Sequence, residues 1–377
     1  MSDYFLADDL SGALDAAAAF HRAGRVVRVT LDPADWVGTA PGEITGVSTE
    51  TRNLPPAEAA TAVATVIARG RDLGARLVYK KIDSTLRGPV AAELEAVRRA
   101  LPETRLLFAP ANPAVGRTVC DGVLLVHGRP VHETDFGHDP VSPVRESRLR
   151  ALLAGLPAGL IDIPDTLATA DLERAVTYQM NRGGSWVAVG SGALARPVAA
   201  ALAAENASQV TPIASRAPAP GPVLFLGGSA HALNRRQAAR LWSARDVPLH
   251  ELNLADAVEV FAAKVAASLR DRKAAAVLVA PERGNSALIR DRLTAVATEA
   301  LAATGTARVF ATGGETARAL CVALGVRILR FDAELEPGLA AARGDGASGP
   351  FLFAVKPGGF GDDDTWLRAD DHLRGPA

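Results

Sequence analysis

The sequence predicts an α/β protein with two α/β domains and mostly parallel sheets, and three observations support this fold class. Amphipathic Ala-rich segments end at a glycine, and each is followed by a short run of branched apolar residues. This unit recurs along the chain, as in the predicted helix over 12–23, Gly24 and the predicted strand over 25–31. The chain has 377 residues, which is the length of two domains at roughly 100–200 residues each. Alternating helices and strands of this kind build parallel sheets.

The individual elements follow from helix-end and strand signals. A glycine just past a helix adopts the left-handed conformation without strain, and a proline fits the first helical turn. These signals predict helices over 12–23, 58–73, 90–100 and 316–324. Branched apolar runs predict strands over 4–6, 25–31, 44–47, 77–80, 106–109, 160–163, 186–189, 223–226, 248–252, 276–279, 308–311, 326–331 and 351–355. Two apolar runs on either side of 127–129 predict a β-hairpin over 122–132.

The domain boundary is predicted in segment 211–222, TPIASRAPAPGP. A composition dominated by Pro and Ala between two α/β regions is typical of a linker. We therefore expect an N-terminal domain over 1–212 and a C-terminal domain over 221–377, with the active site in the cleft between the domains.

Composition and charge exclude several function classes. Lys and Arg number 41 and Asp and Glu number 42, and this formal net charge of −1 argues against a general nucleic-acid binder or a polybasic membrane binder. Cys120 and Cys321 stand far apart without a metal-ligand pattern, so neither a disulfide scaffold nor a zinc module is expected. No apolar run approaches the ~18 residues of a membrane span, and the first strand leaves no room for a signal peptide. We expect a cytoplasmic protein without nucleic-acid or membrane partners.

Two adjacent carboxylates, Asp8 and Asp9, follow the first predicted strand. Ligands of open parallel sheets bind beyond the carboxyl ends of the strands. A carboxylate pair there can hold a substrate hydroxyl, act as a base or bind a metal ion. The alternative is that one Asp only caps the following helix, but a cap needs one carboxylate rather than two.

A second group of polar residues follows the strand over 77–80, in the stretch KKIDSTLRGP. It combines cations, a carboxylate and two hydroxyls in one strand-to-helix turn. Cations suit a carboxylate or phosphate, and Asp and Ser suit hydroxyls, so the turn favours a small anionic polyol over a merely solvated turn. Lysine is otherwise rare, since the remaining lysines are Lys264, Lys273 and Lys356.

A long polar loop over 131–147 comes soon after the motif PANPAVGRT. Long loops rich in His, Glu and Asp are often functional. His132, Glu133 and Asp135 fit no standard metal spacing, so a metal site and a hydrogen-bonded surface network remain equal alternatives.

Glycine clusters follow several predicted strands of the C-terminal domain, at 227–229, 312–316 and 356–361. Glycines beyond strand ends, together with helix N-termini, leave N–H groups that bind phosphates. Their repetition in one domain favours a nucleotide over simple tight turns. The GxxxxGK[ST] pattern does not occur, which excludes a Walker P-loop enzyme. The turn GSGALA at 190–195 matches GxGxxA, but the acidic residue expected about 20 residues later is missing.

Six motifs resemble those of the four-carbon acid sugar kinase family and occur in the order of that family. They are ADDLSGALD at 7–15, KKIDSTLRGP at 80–89, PANPAVGRT at 110–118, VHETDFGHDPVSPVRES at 131–147, TGGETARAL at 312–320 and KPGGFG at 356–361. The resemblance covers nearly the whole chain. Two turns depart from the usual pattern: many relatives have a Ser/Cys-rich turn at 228–231 and KSGNFG at 356–361.

The resemblance implies an ATP-dependent kinase that phosphorylates the terminal 4-hydroxyl of threonate, erythronate or a 3-oxo-tetronate. It implies that domain 1–212 binds the sugar acid and domain 221–377 the nucleotide, with Mg²⁺ as a further cofactor. The implied catalytic residues are Asp9 and Asp8. The implied substrate-binding residues are Lys81, Asp83, Ser84, Arg87 and Arg117. The implied nucleotide-binding residues are Ser229, Thr312, Gly313, Gly314, Glu315, Thr316, Lys356, Gly358 and Gly359.

Two other functions stay open from the sequence. One is a nucleotide-dependent sugar-acid dehydrogenase that uses the GSGALA turn, and the other is a non-catalytic sugar-acid-binding relative. The particular sugar acid, the catalytic base, the metal ligands and the oligomeric state, a homodimer included, stay open as well.

Overall fold

A computed structural model describes residues 2–205, 218–228, 231–280 and 286–375 of the chain. The chain divides into two compact units, Met1–Pro212 and Ile213–Ala377. Most of the predicted linker over 211–222 lies outside the described residues. Both units alternate strands with helices, so the predicted α/β class with mostly parallel sheets is confirmed.

The first unit is built on one parallel sheet. Its strands are β1 (Ser2–Ala7), β2 (Val26–Thr30), β3 (Glu43–Ser48), β4 (Ala75–Lys81), β5 (Arg105–Ala109), β6 (Arg117–Cys120), β7 (Val123–Val126), β8 (Arg129–Pro130), β9 (Ile161–Asp162) and β10 (Trp186–Gly190). Its helices are α1 (Leu10–Arg22), α2 (Pro56–Asp72), α3 (Val90–Ala100), α4 (Leu149–Leu152), α5 (Thr169–Arg182) and α6 (Gly192–Glu205). The sheet has the order β2-β3-β1-β4-β10-β5-β9, and its pairings are parallel.

The strand order of the first unit changes direction between β1 and β4. The chain leaves β1 toward β2 on one side and leaves β3 toward β4 on the other. Right-handed crossovers then place α1 and α2 on opposite faces of the sheet. Accordingly, α1 packs with α6, whereas α2 packs with α3. A ligand crevice forms at such a reversal, beyond the carboxyl ends of the strands.

A small antiparallel sheet in the order β6-β7-β8 interrupts the alternation. The predicted hairpin is present as β7 and β8, joined through His127 and Gly128, which both have positive φ. β6 is an additional strand that pairs with β7. It was not predicted because its four residues, RTVC, are only half apolar.

The second unit has parallel strands at one side of its sheet and antiparallel strands at the other. Its strands are β11 (Val223–Gly227), β12 (Leu249–Leu252), β13 (Ala274–Val279), β14 (Arg308–Thr312), β15 (Ile328–Glu336), β16 (Leu339–Gly346) and β17 (Gly349–Lys356). Its helices are α7 (Ala232–Arg245), α8 (Val258–Arg272), α9 (Ser286–Thr304), α10 (Gly314–Ala323) and α11 (Thr365–Arg374). The order is β12-β13-β11-β14-β17-β16-β15, and β16 is antiparallel to both of its neighbours.

Aromatic side chains fill the core of each unit. In the first, Phe5 stacks on Phe20 with ring centroids 5.2 Å apart. Gly46 is required beside them, because a Cβ at this position would lie 2.3 Å from Phe5 Cζ. In the second, Phe225 stacks on the buried Trp366 at 5.9 Å. Among the described helices, none combines the length and the apolar run that crossing a bilayer requires.

Candidate active site

The carboxyl ends of β3, β1 and β4 lie level with one another in the first unit. Ala7, the last residue of β1, pairs in register with Ser48 on one side and with Lys81 on the other. The loops that leave these strands therefore start from adjacent points. They carry the acid pair after β1, the segment before α2, and the charged turn after β4.

Arg52 joins the two carboxylates that follow β1. Its guanidinium binds Asp8 at two points, with Nε 2.8 Å from Oδ2 and Nη2 3.0 Å from Oδ1. The same Nη2 donates to Asp9 Oδ1 at 2.7 Å. The main chain is tied as well, because the Arg52 N–H donates to the Asp8 carbonyl at 3.2 Å. One cation thus fixes both predicted catalytic residues.

Asp9 also caps helix α1. Its Oδ1 accepts the N–H of Gly12 at 2.8 Å, and its Oδ2 accepts the hydroxyl of Ser11. Gly12 allows this close approach, since a Cβ there would lie 2.6 Å from Asp9 Oδ1 and 3.0 Å from Lys81 Nζ. The capping role and the position beside a cation therefore coexist in one residue. Asp9 is the more accessible carboxylate, with 11% of its side chain exposed against 3% for Asp8.

The surrounding charges keep Asp8 ionised. Burial alone raises the pKa of its carboxyl, but Arg52 outweighs that effect through its charge and its hydrogen bonds, and Lys80 and Lys81 add to it. The pKa of Asp8 is consequently lowered from its ordinary value. A carboxylate with both oxygens held by one guanidinium is an anchor rather than a proton acceptor.

The two adjacent lysines at the end of β4 point to opposite faces of the sheet, as alternate residues of a strand do. Lys81 lies toward α1, with Nζ 3.8 Å from Asp15 Oδ2 and 3.2 Å from the carbonyl of Ile82. Lys80 is fully buried on the other face, with Nζ 3.1 Å from Glu93 Oε2. Only Lys81 therefore belongs to the side of the strand end where α1 begins.

Asp83 and Arg87 form a closed pair within the turn after β4. Arg87 donates from Nε to Oδ2 at 3.0 Å and from Nη2 to Oδ1 at 3.1 Å, and Thr85 also donates to Oδ2. Burial raises the pKa of Asp83, but the charges of Arg87 and Arg52 outweigh it and hold the pKa well below its ordinary range. Leu86 adopts a positive φ of 66° inside this turn, a conformation that non-glycine residues rarely adopt.

Arg117, which begins β6, reaches the same turn and donates from Nη1 to the hydroxyl of Ser84. Its guanidinium carbon lies 5.5 Å from the ring centroid of Phe136, and that of Arg87 lies 5.8 Å from the same centroid. Burial lowers the pKa of Arg117, and the charge of Arg87 lowers it further, against the opposing effect of Asp83. Across the described part of the chain, Arg117 forms no ion pair with a carboxylate.

The loop over 131–147 packs on these residues. Asp139 lies 3.5 Å from Arg87 Nη1, and Ser142 Oγ donates to the carbonyl of Arg52 at 3.1 Å. His132 contacts Ser147 Oγ through Nδ1 at 2.6 Å. In the ranges that the structure describes, no three His, Cys, Asp or Glu side chains converge as metal ligands. The hydrogen-bonded network is the arrangement observed.

A second group of strand ends lies level in the second unit. Gly227 of β11, Thr312 of β14 and Lys356 of β17 are register partners. After β14, Gly313 has a φ of 94°, and its N–H donates to the carbonyl of Lys356 at 2.8 Å. The hydrogen-bond ladder of α10 begins with the N–H of Ala317, which donates to Gly313. The N–H groups of the preceding turn stand outside this ladder, as at any helix N-terminus that can receive an anion.

Three predicted nucleotide-binding residues surround this helix start in different ways. Thr316 is buried, and a Cβ at Gly228 would lie 2.2 Å from its Oγ1. Thr312 is also buried, and its Oγ1 has no hydrogen-bond partner within the described residues. Glu315 is half exposed, with Oε2 4.0 Å from Arg290 Nη1. Ser229 lies outside the described residues.

Lys356 binds the glycine loop that follows it. Its Nζ lies 3.2 Å from the carbonyl of Pro357, 3.1 Å from that of Gly358 and 3.2 Å from that of Phe360. It also donates to Asn234 Oδ1 at 2.9 Å. Burial lowers the pKa of this ammonium to about 8. The lysine therefore shapes the loop that contains Gly358 and Gly359, and it holds a charge behind that loop.

Sequence reasoning did not identify Arg52 or Phe136 as site residues. Arg52 follows β3, and its importance depends on β3 lying beside β1, which the order of the chain does not reveal. A cation shortly beyond the predicted strand over 44–47 was the available signal. Phe136 lies in a polar loop that was considered only for its His and acidic residues. An aromatic ring in such a loop can indicate a cation–π contact, which Phe136 makes with Arg87 and Arg117.

Two family models together match most of this chain. The family model described as a sugar-binding N-terminal domain matches residues 4–232, and that of a nucleotide-binding C-terminal domain matches residues 224–366. A D-threonate kinase from Bordetella bronchiseptica is 36% identical over 98% of this chain and 96% of its own length. A 3-oxo-tetronate kinase from Methylobacterium radiotolerans is 28% identical over 98% of both chains.

A solved structure is similar over nearly its full length. It is a domain of unknown function from Bordetella bronchiseptica, crystallised as a domain-swapped dimer with bound citrate. It is 33% identical, has a TM-score of 0.51, and the match covers 99% of this chain and 98% of that chain.

Proposed function

This chain belongs to the four-carbon acid sugar kinase family and is a carbohydrate kinase, and we propose that it transfers the γ-phosphate of ATP to the terminal 4-hydroxyl of a four-carbon sugar acid. D-threonate is our first choice of substrate. Its kinase from Bordetella bronchiseptica is 36% identical to this chain, whereas the 3-oxo-tetronate kinase from Methylobacterium radiotolerans is 28% identical. Erythronate and 3-oxo-tetronates are the other members of the proposed substrate class.

The observation that carries the sugar-acid assignment is that Arg117 has no carboxylate partner among the described residues. It is a half-buried cation that binds only a serine hydroxyl and an aromatic ring within the described residues, beside the Asp83–Arg87 pair. A substrate carboxylate supplies the bidentate partner that such a guanidinium lacks. We therefore assign the carboxylate to Arg117, with Lys81 as the second cation. Arg87, in contrast, already has its carboxylate partner.

Asp9 is the residue that we assign to the attacking hydroxyl. It is more accessible than Asp8 and is bound by Arg52 at one oxygen only. Phosphoryl transfer depends mainly on positioning and charge stabilisation, so a carboxylate that orients the hydroxyl and accepts its proton late is sufficient. Asp8 then serves as the anchor of Arg52, which in turn orients Asp9.

The second unit is proposed to bind ATP. The level ends of β11, β14 and β17 bring together three glycine-bearing turns and the N-terminus of α10, where N–H groups favour phosphate oxygens. The Thr312 hydroxyl, which has no hydrogen-bond partner among the described residues, is available for one such oxygen or for a bound water. Gly313, Gly314 and Thr316 stand at this point of the fold, and Gly358 and Gly359 form the adjacent loop.

Mg²⁺ is proposed to accompany the nucleotide and to neutralise charge on its phosphates. Magnesium is typically held by one or two carboxylates together with phosphate oxygens and water. A group of three protein ligands is therefore not required, and the described residues contain none.

Neither alternative function gains support from the site. The GSGALA turn, on which a dehydrogenase would depend, places Gly192 against Asp15: a Cβ there would lie 2.0 Å from Asp15 Oδ2. A carboxylate at that point repels a pyrophosphate. A non-catalytic binder would not need an acid pair fixed by its own arginine.

Homodimer formation and a cytoplasmic location complete the proposal. The relative of 33% identity was crystallised as a domain-swapped dimer. An ATP-dependent enzyme acts where ATP is available, which is the cytoplasm.

A coupled assay of ADP formation tests the function. The panel contains D- and L-threonate, D- and L-erythronate and their 3-oxo forms, each with ATP and Mg²⁺. We expect ADP release that depends on one of these acids and a product phosphorylated at the 4-hydroxyl. The proposal would be overturned if none of these acids stimulated ADP release, or if they produced an NAD(P)-dependent absorbance change.

A further inference from the structure

A row of four oxygen atoms runs from Glu93 on α3 to the last residue of β1. Glu93 Oε1 contacts Thr51 Oγ1, which lies 2.7 Å from Thr49 Oγ1. Thr49 Oγ1 in turn lies 2.9 Å from the carbonyl oxygen of Ala7. All four residues are buried; Thr49 is 9% exposed and the other three are exposed by 1% or less.

The number of hydrogens in this row determines the protonation of Glu93. Three oxygen–oxygen contacts need three hydrogens, but the hydroxyls of Thr49 and Thr51 supply only two and the Ala7 carbonyl supplies none. With an ionised Glu93, two of these buried oxygens would face each other without a hydrogen between them, which is costly. A proton on the Glu93 carboxyl completes the row. The Glu93 carboxyl then donates to Thr51 Oγ1, the Thr51 hydroxyl donates to Thr49 Oγ1, and the Thr49 hydroxyl donates to the Ala7 carbonyl.

We infer that Glu93 is protonated in the folded enzyme and acts, through Thr51 and Thr49, as a positioning residue for the catalytic carboxylates. The inference about catalysis rests on the proposed function, whereas the proton on Glu93 does not.

The geometry shows how the row acts on the site. Ala7, whose carbonyl receives the last hydrogen bond, directly precedes Asp8 in the chain. Thr51 directly precedes Arg52. The row therefore ties together the backbone on both sides of the Asp8–Arg52 ion pair, which in turn holds Asp9.

The charges that face Glu93 agree with this proton count. Lys80 of β4 lies 3.1 Å from Oε2, and Asp8 of β1 acts on Glu93 from the adjacent strand. Burial raises the pKa of Glu93, Lys80 and the hydrogen bond with Thr51 lower it, Asp8 raises it again, and the net effect is a raised pKa. The pKa of Asp8 moves in the other direction. These opposite directions place the proton on Glu93 and the charge on Asp8 in our inference.

Infrared spectroscopy of the substrate-free enzyme at neutral pH tests the proton directly. A neutral carboxylic acid has a carbonyl stretch that is separate from those of carboxylates. We expect this band to weaken in Glu93→Gln and to be unchanged in Glu95→Gln, a matched control on the exposed side of the same helix. A wild-type spectrum that does not differ from that of Glu93→Gln in this region would overturn the inference.

Thermal unfolding of Glu93→Gln is a second test, because the unfolding midpoint should rise if Glu93 is protonated and fall if it is ionised. Because a raised pKa costs stability once the pH exceeds the ordinary value of 4.5, replacing a protonated Glu93 by a neutral amide should raise the midpoint at neutral pH. This gain should disappear as the pH falls toward that value. If Glu93 were instead ionised and paired with Lys80, the same variant would lower the midpoint by many degrees.

Turnover tests the positioning role. The amide introduced by Glu93→Gln can still donate to Thr51 and accept from Lys80, so this variant should retain kcat within about threefold. Thr51→Val, in contrast, should lower kcat roughly tenfold, the size of one lost buried hydrogen bond. The KM for ATP should change in neither. An unchanged kcat in Thr51→Val would overturn the positioning role. Absence of kinase activity in the wild-type enzyme would instead refute the proposed function, and the infrared band would still report the proton.

Discussion

The guanidinium of Arg52 lies edge to edge with the carboxylate of Asp8, with Nε 2.8 Å from Oδ2 and Nη2 3.0 Å from Oδ1. Such a two-point contact fixes an angle as well as a distance, because both groups are planar. The third contact, from Nη2 to Asp9, therefore transmits that fixed orientation to the carboxylate that we assign to the attacking hydroxyl.

Arg52→Lys should lower kcat about 100-fold, because an ammonium cannot hold Asp8 at two points and reach Asp9 as well. The KM for the sugar acid should change much less, since its carboxylate is assigned to Arg117 and Lys81. Steady-state kinetics in both substrates measure the two effects separately. Arg99→Lys, on the exposed surface of α3, is the matched control. A kcat close to that of the control would show that Arg52 does not orient Asp9.

Asp83 should make the enzyme sensitive to acid. Its pKa is held well below the ordinary value of 3.8 in the folded state, so the unfolded chain binds the proton first as the pH falls. The stability that it contributes is therefore present above about pH 4 and is lost as the pH falls through the lowered folded-state pKa.

Asp83→Asn should lower the calorimetric midpoint at neutral pH, because Arg87 loses its two-point carboxylate partner and keeps the longer contact to Asp139, at a cost of about 3 kcal/mol. The midpoint of the variant should also fall less steeply below pH ~4, since Asn does not titrate. Asp72→Asn at the exposed end of α2 is the control. Parallel pH dependences in wild type and variant would contradict this account.

Local signals determined much of the fold in advance. The helix predicted over 90–100 is α3 itself, because Pro89 and the preceding Gly88 mark its start unambiguously. β16 was missed because Leu339–Gly346 is rich in Ala, Gly and charge. It becomes a strand through pairing with β15 and β17 on either side, and such partners are not visible in the segment itself.

The sequence predicted where in the fold the site residues lie, but not which residues they contact. Asp8, Asp9 and the turn after β4 stand at strand ends, as expected of a parallel sheet. The contacts between them depend on which strands are neighbours. The predicted substrate-binding set contains both Arg87 and Arg117, and only the observed pairing of Arg87 with Asp83 led us to assign the substrate carboxylate to Arg117.

Lys356→Arg should weaken ATP binding by about tenfold, because a planar guanidinium cannot converge on the carbonyls that the ammonium binds. The pH dependence should change as well. The pKa of Lys356 is about 8, so wild-type affinity for ATP should decline as the pH rises through that value and the charge is lost. An arginine stays charged there, and the decline should disappear. Calorimetric titration with ATP across this range measures both effects, with Lys264→Arg on the exposed face of α8 as control. A wild-type affinity that is flat through pH 8 would exclude a role for this charge.

Arg117→Lys should raise the KM for the sugar acid by about 10- to 100-fold and leave the KM for ATP unchanged. A lysine keeps the charge but loses the planar fork that matches a carboxylate, and it no longer reaches both Ser84 and the ring of Phe136. This increase in the KM for the sugar acid should be larger than the increase in Arg87→Lys, because in our assignment Arg87 binds Asp83 and not the substrate. Arg129→Lys, an exposed residue of the neighbouring β8, controls for the general effect of the exchange. Initial rates at varied sugar acid and saturating ATP distinguish these variants. A larger KM effect in Arg87→Lys than in Arg117→Lys would transfer the substrate carboxylate to Arg87.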